Sequence, residues 1–133
     1  MIIGLGCDII NIERIAKLLD DSGEKFLART FTAHEIEAAK KYSNKKKYYA
    51  HFAKRFTAKE AFSKAVGSGF GKNLSFTDIS IINDESGKPS IMLNERALNL
   101  AKSLAAGQEI LCHISLSDDY PYAQAVVVIE SIQ

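Results

Sequence analysis

Two carboxylates and a lysine stand out for the chemistry that their surroundings imply. Asp8 is the one charge in an apolar, glycine-containing stretch, Ile3-Gly4-Leu5-Gly6-Cys7-Asp8-Ile9-Ile10. An acid there is costly unless it is paired or binds a cation. It also has a purely structural reading, as the cap of a helix beginning near Asn11, and the segment alone leaves both open. Glu60 and Lys64 lie four apart in Ala53-Lys54-Arg55-Phe56-Thr57-Ala58-Lys59-Glu60-Ala61-Phe62-Ser63-Lys64-Ala65-Val66-Gly67. As a surface pair they would contribute roughly 0.3–0.5 kcal/mol. Phe52, Phe56 and Phe62 among many alanines predict a helix packed over much of its circumference, which puts some of its charges at a partly buried site. Arg55, Lys59 and Lys64 around one carboxylate suit phosphate plus a divalent metal. The hard oxygens of Asp8 and Glu60 suit Mg²⁺, which takes about one or two protein carboxylates and completes its shell with water and phosphate.

Other chemistries find less support. The three histidines are scattered and the two cysteines unpaired, so no zinc pattern is present. Gly4-Leu5-Gly6 lacks the third glycine and the βαβ context of a dinucleotide fingerprint. In Cys112-His113-Ile114-Ser115-Leu116-Ser117-Asp118, alternation puts His113, Ser115 and Ser117 on one strand face. That face is either a polar exterior or a ligand surface, and no nucleophile elbow accompanies it. His34 and His51, in helical, lysine-rich surroundings, are expected at the surface. Cys7 and Cys112 are expected as free, buried thiols of a reducing compartment.

The elements that must position these residues can be outlined from pattern. Met1 to Ile10 reads as a strand whose glycines admit a close neighbour. Ile12, Ile15, Ala16 and Leu19 then follow helical spacing behind Asn11, with Ser22-Gly23 as the expected end. Thr32-Ala-His-Glu35 has capping-box spacing and opens a second helix to about Tyr42. Ser43 to Lys47 reads as a loop, Tyr48 to Val66 as the longest helix, and Gly67 to Gly71 as its cap and a ligand-hugging loop. Ile79–Ile82 and Ile91–Leu93 form a hairpin around Asn83–Pro89. Asn94 caps a helix reaching Leu104, and strands Glu109–Leu116 and Tyr122–Ile129 flank a turn over Ser117–Pro121. The expected fold class is α+β with a mostly antiparallel sheet.

The chain has 133 residues, 47% hydrophobic and 25% charged, with two prolines, which predicts one globular domain over 1–133. Its net charge is +1. Lys40 to Lys64, however, holds nine basic residues against Glu60 alone, a local +8 that suits a polyanion or an acidic partner, or else is a solvated face. No apolar run nears the roughly 18 residues of a membrane span. Asp8 sits where a signal peptide needs a basic start. A cytoplasmic protein without membrane insertion is expected.

With these segments together, the sequence resembles the holo-(acyl-carrier-protein) synthases, the short bacterial-type 4′-phosphopantetheinyl transferases. The resemblance runs nearly end to end. It rests on Ile3 to Ile10 with Glu13-Arg14-Ile15, on Arg55 to Gly69, on Asn83 with Gly87-Lys88-Pro89, and on His113-Ile114-Ser115-Leu116. It implies Mg²⁺-dependent transfer of 4′-phosphopantetheine from coenzyme A to a serine of apo acyl carrier protein, releasing 3′,5′-ADP and activating the carrier for fatty acid biosynthesis. By the same resemblance Asp8 and Glu60 match the metal ligands, and Lys64 the phosphate-contacting lysine. Glu60 is the better match for the base. Ser63, Gly67, Ser68, Gly69 and His113 match residues lining the coenzyme A site, with loop N–H groups available to phosphate or adenine. Arg55 and the Lys46-Lys47 region match the nucleotide end more loosely. Arg14 matches a residue that meets the acidic helix of the carrier. The resemblance further implies a homotrimer with active sites shared between neighbours.

The chain departs from the family pattern at Val66 and Ser68, where Leu and Thr are frequent, at Thr57, where Ala is, and at Asp118, where many relatives carry His. The last removes any second-histidine role at that turn. Two competing functions remain. A small nucleic-acid-binding module on Lys40–Lys64 would show steep salt dependence and indifference to coenzyme A. A coenzyme A-binding protein without transferase activity would leave the carrier unmodified.

Overall fold

Glycine at positions 4 and 6 decides how the first strand meets the longest helix. The computed structural model describes residues 1–133. It begins with β1 (Ile2–Asn11), α1 (Ile12–Thr30), α2 (Ala33–Ala38) and α3 (Lys45–Val66). The hairpin β2 (Ile79–Asn83) and β3 (Pro89–Leu93), then α4 (Glu95–Leu104), and finally β4 (Glu109–Asp119) and β5 (Tyr122–Ile132) complete it. The strands form two antiparallel sheets, β1-β5-β4 and β2-β3, in agreement with the α+β expectation. A β-carbon on Gly6 would overlap the carbonyl oxygen of Ala61, and one on Gly4 that of Ala65. The absence of side chains there lets α3 lie directly on β1.

The sheet face bearing Gly4 and Gly6 continues across to Val127 and Ile129, both buried, and packs with Ala58, Ala61, Phe62, Leu74, Ile79 and Ile81 into one core. A second core joins Ile12, Ile15, Leu19 and Phe26 of α1 to Phe31, Phe52 and Ala53. Helix α3 serves both and is buried around most of its girth, as its phenylalanines and alanines predict.

Several boundaries differ from the sequence reading. Helix α1 does not stop at Ser22-Gly23. The backbone leaves helical geometry at Ser22 (φ −137°, ψ 34°) and then resumes to Thr30, because Phe26 and Thr30 have buried positions to fill. The three lysines expected in a loop form the first turn of α3, since Asn44 accepts the Lys47 N–H at 3.1 Å. Ser117 to Asp119 belong to β4, leaving a turn of only Tyr120-Pro121. His51 is buried, not exposed: its ring Nε2 meets the Glu35 carbonyl at 2.9 Å. Cys7 is exposed, not buried, because odd positions of β1 face away from α3. Cys112 is half-buried, and that burial pushes its thiol up to about 11.

Candidate active site

Asn11, not Asp8, caps α1, accepting the Glu13 N–H at 2.9 Å. Asp8 is thereby free of the structural duty that the sequence left open. It lies at an even position of β1, on the face against which α3 packs. Thr57 and Lys64, seven residues and about two helical turns apart, both reach it. The Thr57 hydroxyl donates to Asp8 Oδ2 at 2.7 Å and Lys64 Nζ to Asp8 Oδ1 at 3.0 Å. Lys64 also reaches the Cys7 carbonyl at 3.2 Å. The Glu60–Lys64 pair suggested by spacing is therefore not made.

Glu60 projects from the same stripe of α3. Burial raises its pKa above the ordinary carboxylate value, the negative charge of Asp8 adds to the rise, and the Lys64 and Arg14 charges oppose it. It is half-buried and makes no ion pair. Glu60, whose charge the neighbouring Asp8 disfavours and which has no cationic partner, forms with Asp8 a donor set of hard oxygens that a small divalent cation relieves. The residues present fit magnesium. Arg14, exposed on α1, stands close enough for its charge to act on Glu60.

Lys59, grouped with this cluster on sequence, is turned away from it. One residue along a helix rotates the side chain by about 100°, and Lys59 is fully buried on the other side of α3. There its ammonium pairs with Glu35 Oε1 at 2.6 Å and donates to the Thr30 and Phe76 carbonyls at 2.8 and 3.1 Å. Glu35 closes the network by accepting the N–H groups of Thr32 and Ile81, each at 2.9 Å. Sequence reasoning found Glu35 only as a capping-box residue, and nothing in its spacing announces the partner on α3.

Ser63 is buried, and its hydroxyl donates to the Glu60 carbonyl at 2.7 Å. Gly67 ends α3 in the left-handed region (φ 77°). The N–H groups of Gly67 and Ser68 are spent on the Ser63 carbonyl, so the expected row of free loop amides shrinks to that of Gly69.

Arg55 lies elsewhere, in a cleft of about 290 Å³ between α2, α3 and the β2–β3 turn. It is buried, donating to the His51 carbonyl at 3.1 Å and to the Asn83 side chain, while its Nε has no partner. Lys41 and Lys54 also line the cleft, and so do the acids Asp84 and Glu85. His51 Nδ1 is unpartnered too. Burial, and then the Arg55 charge, lowers the His51 pKa to about 4, so the ring is neutral at pH 7. Lys46 lies over the Tyr120 ring, 4.6 Å from its centroid, outside this cleft.

His113 is on the opposite face of the sheet. It stands in one cross-strand row with Val128 and Leu5 and contacts the Glu130 carboxylate at 2.8 Å. The sheet itself separates it from Asp8. Within one chain the structure unites Asp8, Glu60 and Lys64, with Arg14 beside them, and leaves Arg55 and His113 in two other places. Phe52 and Phe62 of the basic segment are fully buried and offer no stacking surface.

Comparison with known proteins gives this arrangement a family. Residues 4–125 match the family model described as the 4′-phosphopantetheinyl transferase superfamily. A holo-[acyl-carrier-protein] synthase of Erythrobacter litoralis is 49% identical over 132 residues, covering 98% of each chain. That of Zymomonas mobilis is 48% identical over 134 residues, again covering 98% of each. Among solved structures, a holo-(acyl-carrier-protein) synthase from Bacillus anthracis in complex with CoA (3′,5′-ADP) superposes with a TM-score of 0.82 at 40% identity, covering 99% of each chain. The Helicobacter pylori synthase in complex with coenzyme A gives 0.79 at 34% identity, covering 95% of this chain and 99% of that one. Likeness of this extent, in sequence and in backbone together, leaves one assignment: the chain is a phosphopantetheinyl transferase and belongs to the holo-(acyl-carrier-protein) synthase family.

Proposed function

We propose that the protein transfers 4′-phosphopantetheine from coenzyme A to a serine hydroxyl of an apo acyl carrier protein, with Mg²⁺ held by Asp8 and Glu60. The observation that carries this reading is the convergence of Asp8, Glu60 and Lys64 where β1 meets α3. Relatives solved with coenzyme A support the donor, and the names of the curated relatives support the acceptor. The carrier is that of fatty acid biosynthesis and the reaction is cytoplasmic. No helix here is long and apolar enough to cross a membrane, which agrees with that placement.

In the reaction the serine oxygen forms a bond to the pantetheine-side phosphorus of the pyrophosphate, and the bond from that phosphorus to the bridging oxygen breaks, releasing 3′,5′-ADP. The magnesium ion, when bound, supplies neutralisation of the charge that gathers on the leaving phosphate. Glu60, half-buried beside Asp8 and without an ion pair of its own, takes the serine proton, directly or through one water. Lys64 exchanges Asp8 for a phosphate oxygen, which its exposed side chain permits. The Gly67–Gly69 loop lines the coenzyme A site through the Gly69 amide, with Ser63 packed behind it. Arg55 and its cleft, which Lys41 and Lys54 also line, hold the nucleotide end. His113, across the sheet from this chain's own carboxylates, serves a neighbouring subunit's coenzyme A in a homotrimer.

The test is release of 3′,5′-ADP from coenzyme A, followed by chromatography. Release that requires both apo carrier and Mg²⁺ and disappears in Asp8→Ala and Glu60→Ala, with their melting temperatures preserved, supports the reading. Undiminished release in either variant removes that residue from the site.

A further inference from the structure

We propose that Thr57 is a positioning residue for the metal ligand Asp8, fixing the carboxylate plane by its hydroxyl so that Oδ1 stays available to a divalent cation. The proposal rests on the reading of Asp8 and Glu60 as the magnesium site. A threonine inside a helix ordinarily returns its hydroxyl to a backbone carbonyl one turn earlier. Thr57 is fully buried, and its hydroxyl instead leaves the helix to donate to Asp8 Oδ2 at 2.7 Å. The other oxygen, Oδ1, meets only Lys64, at 3.0 Å.

The two donors differ in what they can do next. Lys64 is 55% exposed and has a long flexible stem, so it can leave Asp8 without leaving solvent. Thr57 has a stiff, branched side chain and is enclosed by the packing of α3 on β1, so its hydroxyl stays. It is also neutral. A lysine that orients a carboxylate cancels the charge a cation needs, whereas a hydroxyl orients it and leaves the formal charge in place. Rotation of the Asp8 carboxylate is thus restrained before a cation arrives, which is how partners of ligating carboxylates raise metal affinity.

The experiment measures Mn²⁺ binding by electron paramagnetic resonance to the full chain with coenzyme A and no carrier protein, so that no turnover occurs. Thr57→Val, which keeps shape and removes the hydroxyl, is expected to weaken Mn²⁺ binding by about tenfold, with Thr57→Ser restoring it. In the transfer assay the Mg²⁺ concentration for half-maximal rate should rise in parallel for Thr57→Val, while kcat and the KM for coenzyme A at saturating Mg²⁺ stay unchanged. If Thr57→Val does not fold, Thr57→Ala is measured in its place against Thr57→Ser. Wild-type Mn²⁺ affinity in the variant lacking the hydroxyl, or failure of Thr57→Ser to restore it, overturns the proposal. Asp8→Asn separates this from the parent reading. If Asp8→Asn loses Mn²⁺ and Thr57→Val does not, only the role of Thr57 falls. If Asp8→Asn also binds Mn²⁺ like the wild type, the metal site itself is misplaced.

Discussion

Arg14 is exposed on the first turns of α1, close enough to Glu60 for its charge to oppose the rise in that residue's pKa. It therefore stands at the rim of the site, where an incoming acidic protein surface would pass before its serine reached Glu60. Opposite charge in such a place acts mainly on the rate of encounter. Arg14→Ala is accordingly expected to raise the KM for the carrier protein several-fold while leaving coenzyme A affinity near that of the wild type. Steady-state kinetics with each substrate varied in turn checks this, and equal loss for both would contradict it. The same fine scale explains why Lys59 and Glu60, adjacent in sequence, have unrelated duties. The rotation between them sends one ammonium into the core and one carboxylate to the site. A run of charges on a helix cannot be grouped without knowing which faces are covered.

The buried Lys59–Glu35 pair ties α3 to the start of α2, to the end of α1 through the Thr30 carbonyl, and to β2 through the Ile81 amide. Every lysine donor has an acceptor, so the pair is fully satisfied where it lies. Removing one partner leaves the other charge buried and alone, at a cost of about 3–5 kcal/mol. Lys59→Met should lower stability by that amount in urea unfolding, and Lys59→Met with Glu35→Leu should recover part of it. His51, on the preceding turns of α3, gives the same region an acid sensitivity. Its pKa falls from the ordinary histidine value of 6.5 to about 4 in the folded chain, so as pH drops through this interval the unfolded state takes up a proton that the folded state refuses. Stability thus falls from pH 6.5 toward 4, by up to about 3 kcal/mol at 1.36 kcal/mol per unit. His51→Gln, neutral throughout, should flatten that part of the melting-temperature profile. At this scale the sequence was most readable. Runs of apolar and β-branched residues bounded by turn signals located all five strands, capping residues located the helix starts at Asn11, Thr32 and Asn94, and Gly4 and Gly6 announced a close neighbour. The continuation of α1 past Ser22 was hidden because it depends on Phe26 finding a pocket made by other elements. The burial of His51 and Lys59 was hidden for the same reason: a polar side chain shows no sign of the partners that will enclose it. Asp8, Glu60 and Lys64 were legible as a set because an acid in an apolar strand and a charged stripe on a packed helix are each anomalies that need a partner.

The whole molecule presents a sheet face that nothing in the single chain covers. Leu5 and Ile9 are 66% and 63% exposed on it, in company with Val128 and His113. Apolar residues in such a row are ordinarily buried by another protein surface, and the trimer proposed above would bury them. Leu5→Lys is therefore expected to shift the mass measured by light scattering from trimer toward monomer and to reduce transfer with it. A variant that remains trimeric and fully active would contradict this use of the face. The proposed role of the carboxylates where β1 meets α3 is phosphopantetheine transfer to a carrier protein. It is tested most directly by the intact mass of an apo acyl carrier protein after incubation with this protein, coenzyme A and Mg²⁺. The expected result is a gain of one phosphopantetheine group that is absent with EDTA and absent with Glu60→Ala. An unchanged mass with several apo carriers, while coenzyme A still binds, would contradict it.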